Sequence, residues 1–324
     1  MIREGKTITQ GQFPAGPFRE PLTIIDNFLP SELAEAMRQD IDAHFAMPQA
    51  HLADTHQVWN YWYVPELYTY LRTSPEKIIR REHMDAFMQK LRAWSLGILG
   101  LGNVTWPYLS LYVGGCRQSW HNDAINGRFA FVFSLTRDER RTAGGETLVM
   151  REGDLFRNNL ARPVAGRGLY DAIQPRFNRL VVFDDRLPHA VERLEGAMDP
   201  IEGRFVLHGH MSETGTAVAG ALSADAVAAP LAAAIRGFSA DASARIALYS
   251  GPLTLRLSID RAGRVAKCEV LLDRVIHPDP GHVEWEPLMT ELVGRLRRLR
   301  FPAAEGETVL IQPILFGGVL PQYR

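Results

Sequence analysis

The chain reads as a mainly β protein with flanking helices, followed by a small α/β module, and three observations lead there. Short apolar, β-branched or aromatic runs bounded by Gly and Pro recur through the first two-thirds, as half-buried strands do. Two longer stretches in the same part carry helix-start signals, and the second also has a one-sided apolar pattern. After residue 211 the composition turns abruptly to small residues, which marks a boundary.

Taken in order, residues 20–29 read as a strand. Pro30-Ser31 ahead of Glu32 then supplies a cap and an acidic first turn for a helix. Residues 58–68 are the densest aromatic stretch and are either a substrate-facing wall or a core strand; Trp59, Tyr61 and Trp62 are its candidate substrate-binding residues. Thr73-Ser74-Pro75-Glu76 predicts a second helix, with Pro in its first turn, running to about Leu96. Its Ile79, Met84, Phe87, Leu91 and Trp94 would cover a sheet. Residues 106–112 read as a strand broken by Gly114-Gly115, and residues 178–183 as another that delivers His189 to a strand-to-strand connection. Residues 151–175 form a long polar insertion. Loops of that length are disproportionately functional, so Asn158 and Arg162 are candidates for substrate contact.

The composition excludes several classes. With 46% hydrophobic and 23% charged residues the chain is ordinary globular protein, not a disordered one. A net charge of -1 gives no electrostatic footprint for nucleic acid. Two distant cysteines, Cys116 and Cys268, argue against a disulfide framework and for a reducing compartment. No leader-like apolar region opens the chain and no stretch approaches ~20 apolar residues, so no membrane association and a cytoplasmic location are expected.

The division expected is residues 1–213, a linker at 214–222, and a small α/β domain at 223–324. In the last, residues 253–260 and 265–271 alternate as a hairpin around Arg261-Ala262-Gly263, a helix carries Leu288, Leu292, Leu296 and Leu299, and residues 308–316 make a final strand. The order of these elements, with Ile259-Asp260 and Gly263 at the hairpin and Phe301-Pro302 after the helix, resembles the C-terminal domain of TonB-type energy transducers. That resemblance implies a module for partner or substrate binding or for homo-oligomer formation.

Chemistry centres on His121-Asn122-Asp123, answered by His189 and then Arg204. Two imidazoles and a carboxylate are the ligand set of a facial non-haem iron(II) site, which leaves positions open on the metal. In a strand, residues two apart share a face, so His121 and Asp123 would reach one ion. A His-x-Asp pair alone is more often structural. Here Tyr112 precedes it, Gly144-Gly145-Glu146-Thr147-Leu148 follows, and Phe183, His189 and Arg204-Phe205-Val206-Leu207 complete the order.

This set resembles the 2-oxoglutarate/iron(II)-dependent dioxygenases, in their prolyl-hydroxylase-like branch, across about residues 20–213. The resemblance implies a double-stranded β-helix core of the jelly-roll or cupin-like kind. It implies His121, Asp123 and His189 as iron ligands, Arg204 as the partner of the far carboxylate of 2-oxoglutarate, and Tyr112 as a further cosubstrate contact. Iron(II), 2-oxoglutarate and O2 would be the cofactors, with ascorbate a further candidate. The sequence departs from the pattern twice. Arg204 comes fifteen residues after His189, across a Gly/Pro/Asp-rich turn. Phe133 stands where many relatives carry a hydrogen-bonding tyrosine, a role Thr136 or His208 would take over. The expected reaction is hydroxylation of a C–H bond of a peptide, protein or amino-acid-like substrate. The alternatives are the same chemistry on a small biosynthetic metabolite (hydroxylation, desaturation or cyclisation), or a non-catalytic binding or scaffold protein.

Overall fold

The structure, a computed structural model, describes residues 16–47, 58–139, 141–151, 169–196, 198–279 and 282–317; Asn158 and Arg162 lie outside them. Within these residues the chain forms two compact units. One contains residues 21–93 and 104–211, the other residues 16–20, 94–103 and 212–317. The second unit thus draws on two short segments that a linear reading leaves in the first.

The first unit is built on β1 (Leu22–Ile25), β2 (Asn60–Val64), β3 (Tyr68–Thr73), β4 (Asn103–Val104), β5 (Tyr108–Tyr112), β6 (Arg117–His121) and β7 (Phe129–Ser134). It continues with β8 (Thr142–Ala143), β9 (Thr147–Met150), β10 (Tyr170–Ile173), β11 (Arg179–Asp184), β12 (His189–Val191), β13 (Glu195–Gly196) and β14 (Arg204–Ser212). The main antiparallel sheet runs β1-β11-β7-β14-β5-β3-β6-β12-β9-β10, with β2 on β3, while β8 and β13 form a separate ribbon. That ribbon ties down the turn between His189 and Arg204. Strands β11 and β12 are far apart along the sheet, yet the rings of Phe183 and His189 lie 4.7 Å apart. Only a sheet curled back on itself brings them together, which is the double-stranded β-helix.

Alternation divides the sheet into two faces. Arg204, Val206 and His208 of β14 sit opposite Tyr112, Ser110 and Tyr108 of β5, and Ser110 sits opposite Arg72 of β3. These residues face the inside of the curl. The odd-numbered residues of β14 and β7 face helices α1 (Ser31–Phe45) and α2 (Arg81–Trp94). Both helices bury a stripe at helical spacing: Ala34, Met37 and Ile41 on α1, and Met84, Phe87, Met88 and Leu91 on α2. Burying each large side chain of that kind contributes about 1.5–3 kcal/mol. Phe133 belongs to this outer core, its ring 5.0 Å from Phe87 and 6.1 Å from Phe28.

Two helix starts differ from expectation. The cap of α1 is Pro30, whose carbonyl receives Leu33 and Ala34 N–H, and no side chain caps it. The second helix does not begin at Pro75: residues Pro75–Lys77 make one 3-10 turn and α2 starts at Arg81. Asp40 of α1 accepts from both the backbone N–H and the Nε of Arg80 at 3.0 Å, and this diverts the chain before the helix can continue.

The second unit has a four-stranded sheet, β15 (Ala217–Gly220), β16 (Ser250–Ile259), β17 (Val265–Asp273) and β18 (Thr308–Gly317), in the order β15-β18-β16-β17. Helices α3 (Ala224–Asp241) and α4 (Trp285–Arg297) supply Val227, Leu231, Phe238, Leu288, Leu292 and Leu296 to one core with Leu253, Leu255, Leu257 and Ile259. The stretch 214–222, read as a linker, contains β15: its small residues let 217–220 pair along β18 as an edge strand. Among the described residues no helix is long and apolar enough to cross a membrane.

Candidate metal centre

His189 opens β12 directly opposite His121, the last residue of β6. The register then slips, so that Val191 faces Gln118 and β6 carries one extra residue. This β-bulge turns both Gln118 and His121 into the curl, where strict alternation would have sent one of them out. The imidazole centroids are 4.2 Å apart. His121 Nδ1 lies 2.8 Å from the Ser119 carbonyl oxygen and His189 Nδ1 lies 3.1 Å from that of Leu187. A carbonyl only accepts, so each Nδ1 carries the proton and each Nε2 offers a lone pair.

Asp123 joins them by a different route from the one its spacing suggested. It lies beyond the end of β6, in a turn, and not on the strand. Its N–H donates to the Asp185 carbonyl at 3.0 Å, and its own carbonyl accepts from Asn126 N–H at 2.8 Å. Asp123 Oδ2 then stands 3.4 Å from His189 Nε2 and 4.0 Å from His121 Nε2. Gly127 lets that turn settle, since a Cβ there would lie 2.7 Å from Asp185 Oδ2 and 2.8 Å from His210 Cβ. Burial works to raise the Asp123 pKa, but the neighbouring His189 and His121 imidazoles lower it to about 2. Burial, and then His189, lower that of His121. One ligand atom from each of the three residues lies within 4.8 Å of the others, so this group could hold a metal ion. Its nitrogen and oxygen donors suit iron(II), and three protein ligands leave coordination positions for other molecules.

The group opens on a cavity of about 620 Å³. Arg204 forms part of its wall at 1% exposure, with Nη2 donating to Thr147 Oγ1 at 2.9 Å and its guanidinium 4.8 Å from the Tyr112 ring centre. Tyr112 donates to Gln118 Oε1 at 3.1 Å, and the Gln118 amide lies 3.1 Å from His121 Nε2. Burial pushes the Tyr112 phenol up, against the pull of Arg204. His208 also lines the cavity, with Nε2 2.8 Å from Ser110 Oγ. Burial, and then the positive groups His210, Arg72 and Arg204, push its pKa down to about 3, so this ring is neutral near neutral pH. His210 faces the buried Asp185 at 3.1 Å.

The other expected site residues divide. Trp62 lines the cavity. Thr136 does not: its hydroxyl bonds the backbone N and O of Phe205 on the helix side, as a residue just past the end of β7 naturally does. Trp59 packs against Phe45 and donates to His44 Nε2 at 3.3 Å, and Tyr61 is 65% exposed and stacks on Tyr63. Alternation along β2 explains this, since Trp62 faces in and its neighbours face out. Phe133, on the helix face, is likewise not a cavity residue. Sequence reasoning missed Gln118, Thr147, Asp185 and Arg72. Thr147 sits in the Gly-Gly-Glu-Thr-Leu run already singled out, and Arg72 is the one charge in the alternating stretch Tyr68-Thr69-Tyr70-Leu71-Arg72.

Comparison with known proteins places this geometry. Residues 108–211 match the family described as the 2OG-Fe(II) oxygenase superfamily. No curated protein sequence matches the chain. Solved structures similar to it include a prolyl hydroxylase in complex with a hypoxia inducible factor oxygen degradation domain peptide fragment, from Trichoplax adhaerens. It is 16% identical, covers 58% of this chain and 81% of its own, and has a TM-score of 0.41. A prolyl-4-hydroxylase from Pseudomonas putida is 17% identical over 60% of this chain and 93% of its own, with a TM-score of 0.42. A 2OG-Fe(II) oxygenase family oxidoreductase from Burkholderia pseudomallei is 12% identical over 58% and 83%, with a TM-score of 0.38. Likeness at that level carries no argument about substrate. The match over residues 108–211 implies iron(II), 2-oxoglutarate and O2 as cofactors, and the His121, Asp123 and His189 group could bind the iron.

Proposed function

We propose that the protein is an iron(II)- and 2-oxoglutarate-dependent dioxygenase that hydroxylates a C–H bond of a peptidyl or amino-acid-like substrate. The observation that carries this is the convergence of two Nε2 lone pairs and the Asp123 carboxylate on one cavity whose wall also holds the buried Arg204. In this reading His121, Asp123 and His189 hold the iron, and the Ser119 and Leu187 carbonyls fix both rings in the ligating tautomer. Arg204, braced by Thr147 and Tyr112, receives the far carboxylate of 2-oxoglutarate through a planar fork of donors. Iron with 2-oxoglutarate and O2 supplies the oxidant, with release of succinate and CO2. The chain's own contribution is orientation and exclusion of water. Gln118 and Tyr112 steady the His121 side, and neutral His208 with Ser110 lines the route to the metal without adding charge.

A small metabolite as substrate, or desaturation or cyclisation in place of hydroxylation, would use the same residues. Asp123 disfavours halogenation, which in the resembled family goes with loss of that carboxylate. For the second unit, the hairpin, helix and final strand support the likeness to TonB C-terminal domains and a role in partner binding or self-association. Its two-helix, four-stranded core also supports treating it as a domain apart from the oxygenase core. Both cysteines are buried free thiols, which supports a reducing, cytoplasmic setting.

The test is succinate release that requires both iron(II) and 2-oxoglutarate, read together with a mass gain of one oxygen atom in a peptide and metabolite screen. Binding of 2-oxoglutarate with no succinate under any iron(II) condition would leave the scaffold reading standing instead.

A further inference from the structure

Among the described residues, the cavity that holds the metal group is lined by three fully charged side chains: Asp123, Arg204 and Arg72. The first two are accounted for by iron and 2-oxoglutarate. Arg72 is not. It sits in the middle of three strands, opposite Asn60 of β2 on one side and Ser110 of β5 on the other. One aromatic ring from each flanking strand closes on its guanidinium: Trp62 of β2 at 3.5 Å and Tyr108 of β5 at 4.0 Å from ring centre to Cζ. The rings hold the guanidinium plane between them and take away its rotamer freedom in advance, which is how a recognition group is preorganised. Among the described residues no carboxylate pairs with Arg72, and the Tyr70 hydroxyl is its polar neighbour. Elsewhere in this unit four other buried or half-buried arginines are matched: Arg38 with Asp42, Arg179 with Asp26, Arg186 with Asp184 and Arg151 with Asp171.

We propose that Arg72, clamped between Trp62 and Tyr108, is the anchor for a carboxylate on the substrate, so that the substrate class is a carboxylic acid such as a free amino acid or a peptide presenting its own carboxylate. Rings on both faces leave the N–H groups at the guanidinium edge, and a flat, two-oxygen anion meets such an edge in plane with two parallel hydrogen bonds. Ser110 sits opposite this anchor on β5, and neutral His208, bonded to it, adds no charge of its own. The assignment rests on the dioxygenase reading for the identity of the cavity. It also narrows that reading, because a peptide bound through its interior has no carboxylate to offer except on a side chain.

The experiment measures equilibrium binding of N-acetyl-L-amino acids, each as the free acid and as the primary amide, to the full chain. It is done with iron(II) and 2-oxoglutarate in the absence of oxygen, and again without either. At least one free acid is expected to bind about tenfold or more tightly than its amide. Arg72→Met, which keeps the length and loses the charge, is expected to bring that acid down to the level of its amide. Arg72→Lys is expected to retain part of the preference, which separates loss of charge from loss of fold. Affinity for 2-oxoglutarate itself should move less than about twofold in both variants. The proposal is overturned if no acid is preferred over its amide, if the preference survives Arg72→Met, or if Arg72→Met weakens 2-oxoglutarate binding, which would make Arg72 a cosubstrate ligand. N-acetyl-O-phosphoserine amide outbinding every carboxylate would overturn the choice of anion. A wild-type chain that binds no 2-oxoglutarate would sink the dioxygenase reading alone, because the acid and amide series without cofactors still reports on Arg72.

Discussion

Strands β14 and β16 are nearly the same length and almost equally buried, yet one face of β14 carries Arg204, His208 and His210 where β16 carries Leu253, Leu255, Leu257 and Ile259. On β16 the inward face packs hydrocarbon against α3 and α4, and every buried group stabilises the unit by leaving water. On β14 most hydrocarbon is on the odd-numbered residues, against α1 and α2, and the even-numbered face spends stability by burying a guanidinium and half-burying two imidazoles. Burial therefore does not distinguish a core from a site. What distinguishes them is whether the buried groups are ones that cost free energy, and the predictions below press on that difference.

The largest effect is expected at the metal group. His121→Ala, Asp123→Ala or His189→Ala should each weaken iron(II) binding by more than about a hundredfold and abolish succinate formation, while thermal unfolding shifts little. Metal titration followed by a melting curve checks this, and full activity in any one variant would remove that residue from the centre. On β16 the opposite pattern is expected. Leu257→Ala should cost about 2–5 kcal/mol of stability in denaturant unfolding. Below its unfolding transition it should leave iron(II) affinity where it was.

Arg204→Ala should raise the 2-oxoglutarate requirement on the order of a hundredfold, with iron(II) binding much less affected, because a desolvated charge-assisted contact is lost. An unchanged 2-oxoglutarate affinity would hand the role to another basic group. The smallest effect is a pH slope. His208 has its folded pKa lowered to about 3 by burial, below the roughly 6.5 of an unfolded histidine. The unfolded chain therefore takes up a proton first as the pH falls, and stability present above about pH 6.5 is lost toward pH 3 at about 1.4 kcal/mol per unit. His208→Gln should remove this slope, so wild type should lose stability relative to the variant as the pH falls below about 6.5. Parallel curves would show that His208 titrates normally in the folded chain.

The elements themselves were largely legible. Apolar runs marked β5, β11, β16 and β18, cap signals marked α1, and helical spacing marked the buried stripes of α2 and α4. Local pattern reports what a segment buries: one stripe on the helices, and all six residues of β11. Where a contact from elsewhere intervened, the pattern misled: Asp40 pulls Arg80 out of the helix started at Pro75, and β18 recruits residues 217–220 from what reads as a linker. The sorting of the aromatic stretch was likewise open until pairing showed which side of β2 faces the cavity.

By itself the sequence determined the chemistry at hand: two imidazoles, one carboxylate and an arginine, in an order that resembles one oxygenase family, on strands whose alternation puts Arg204 and His208 on the same side. Tertiary structure alone decided how they meet. The extra residue in β6 swings His121 to face His189, and the Asp185 carbonyl holds the turn that brings Asp123 to both. The curl of the sheet sets Arg72 and its two rings in the same cavity as Arg204. A bulge, a turn contact and a closed sheet all depend on residues distant in the chain, and a periodicity read along one strand holds no information about them.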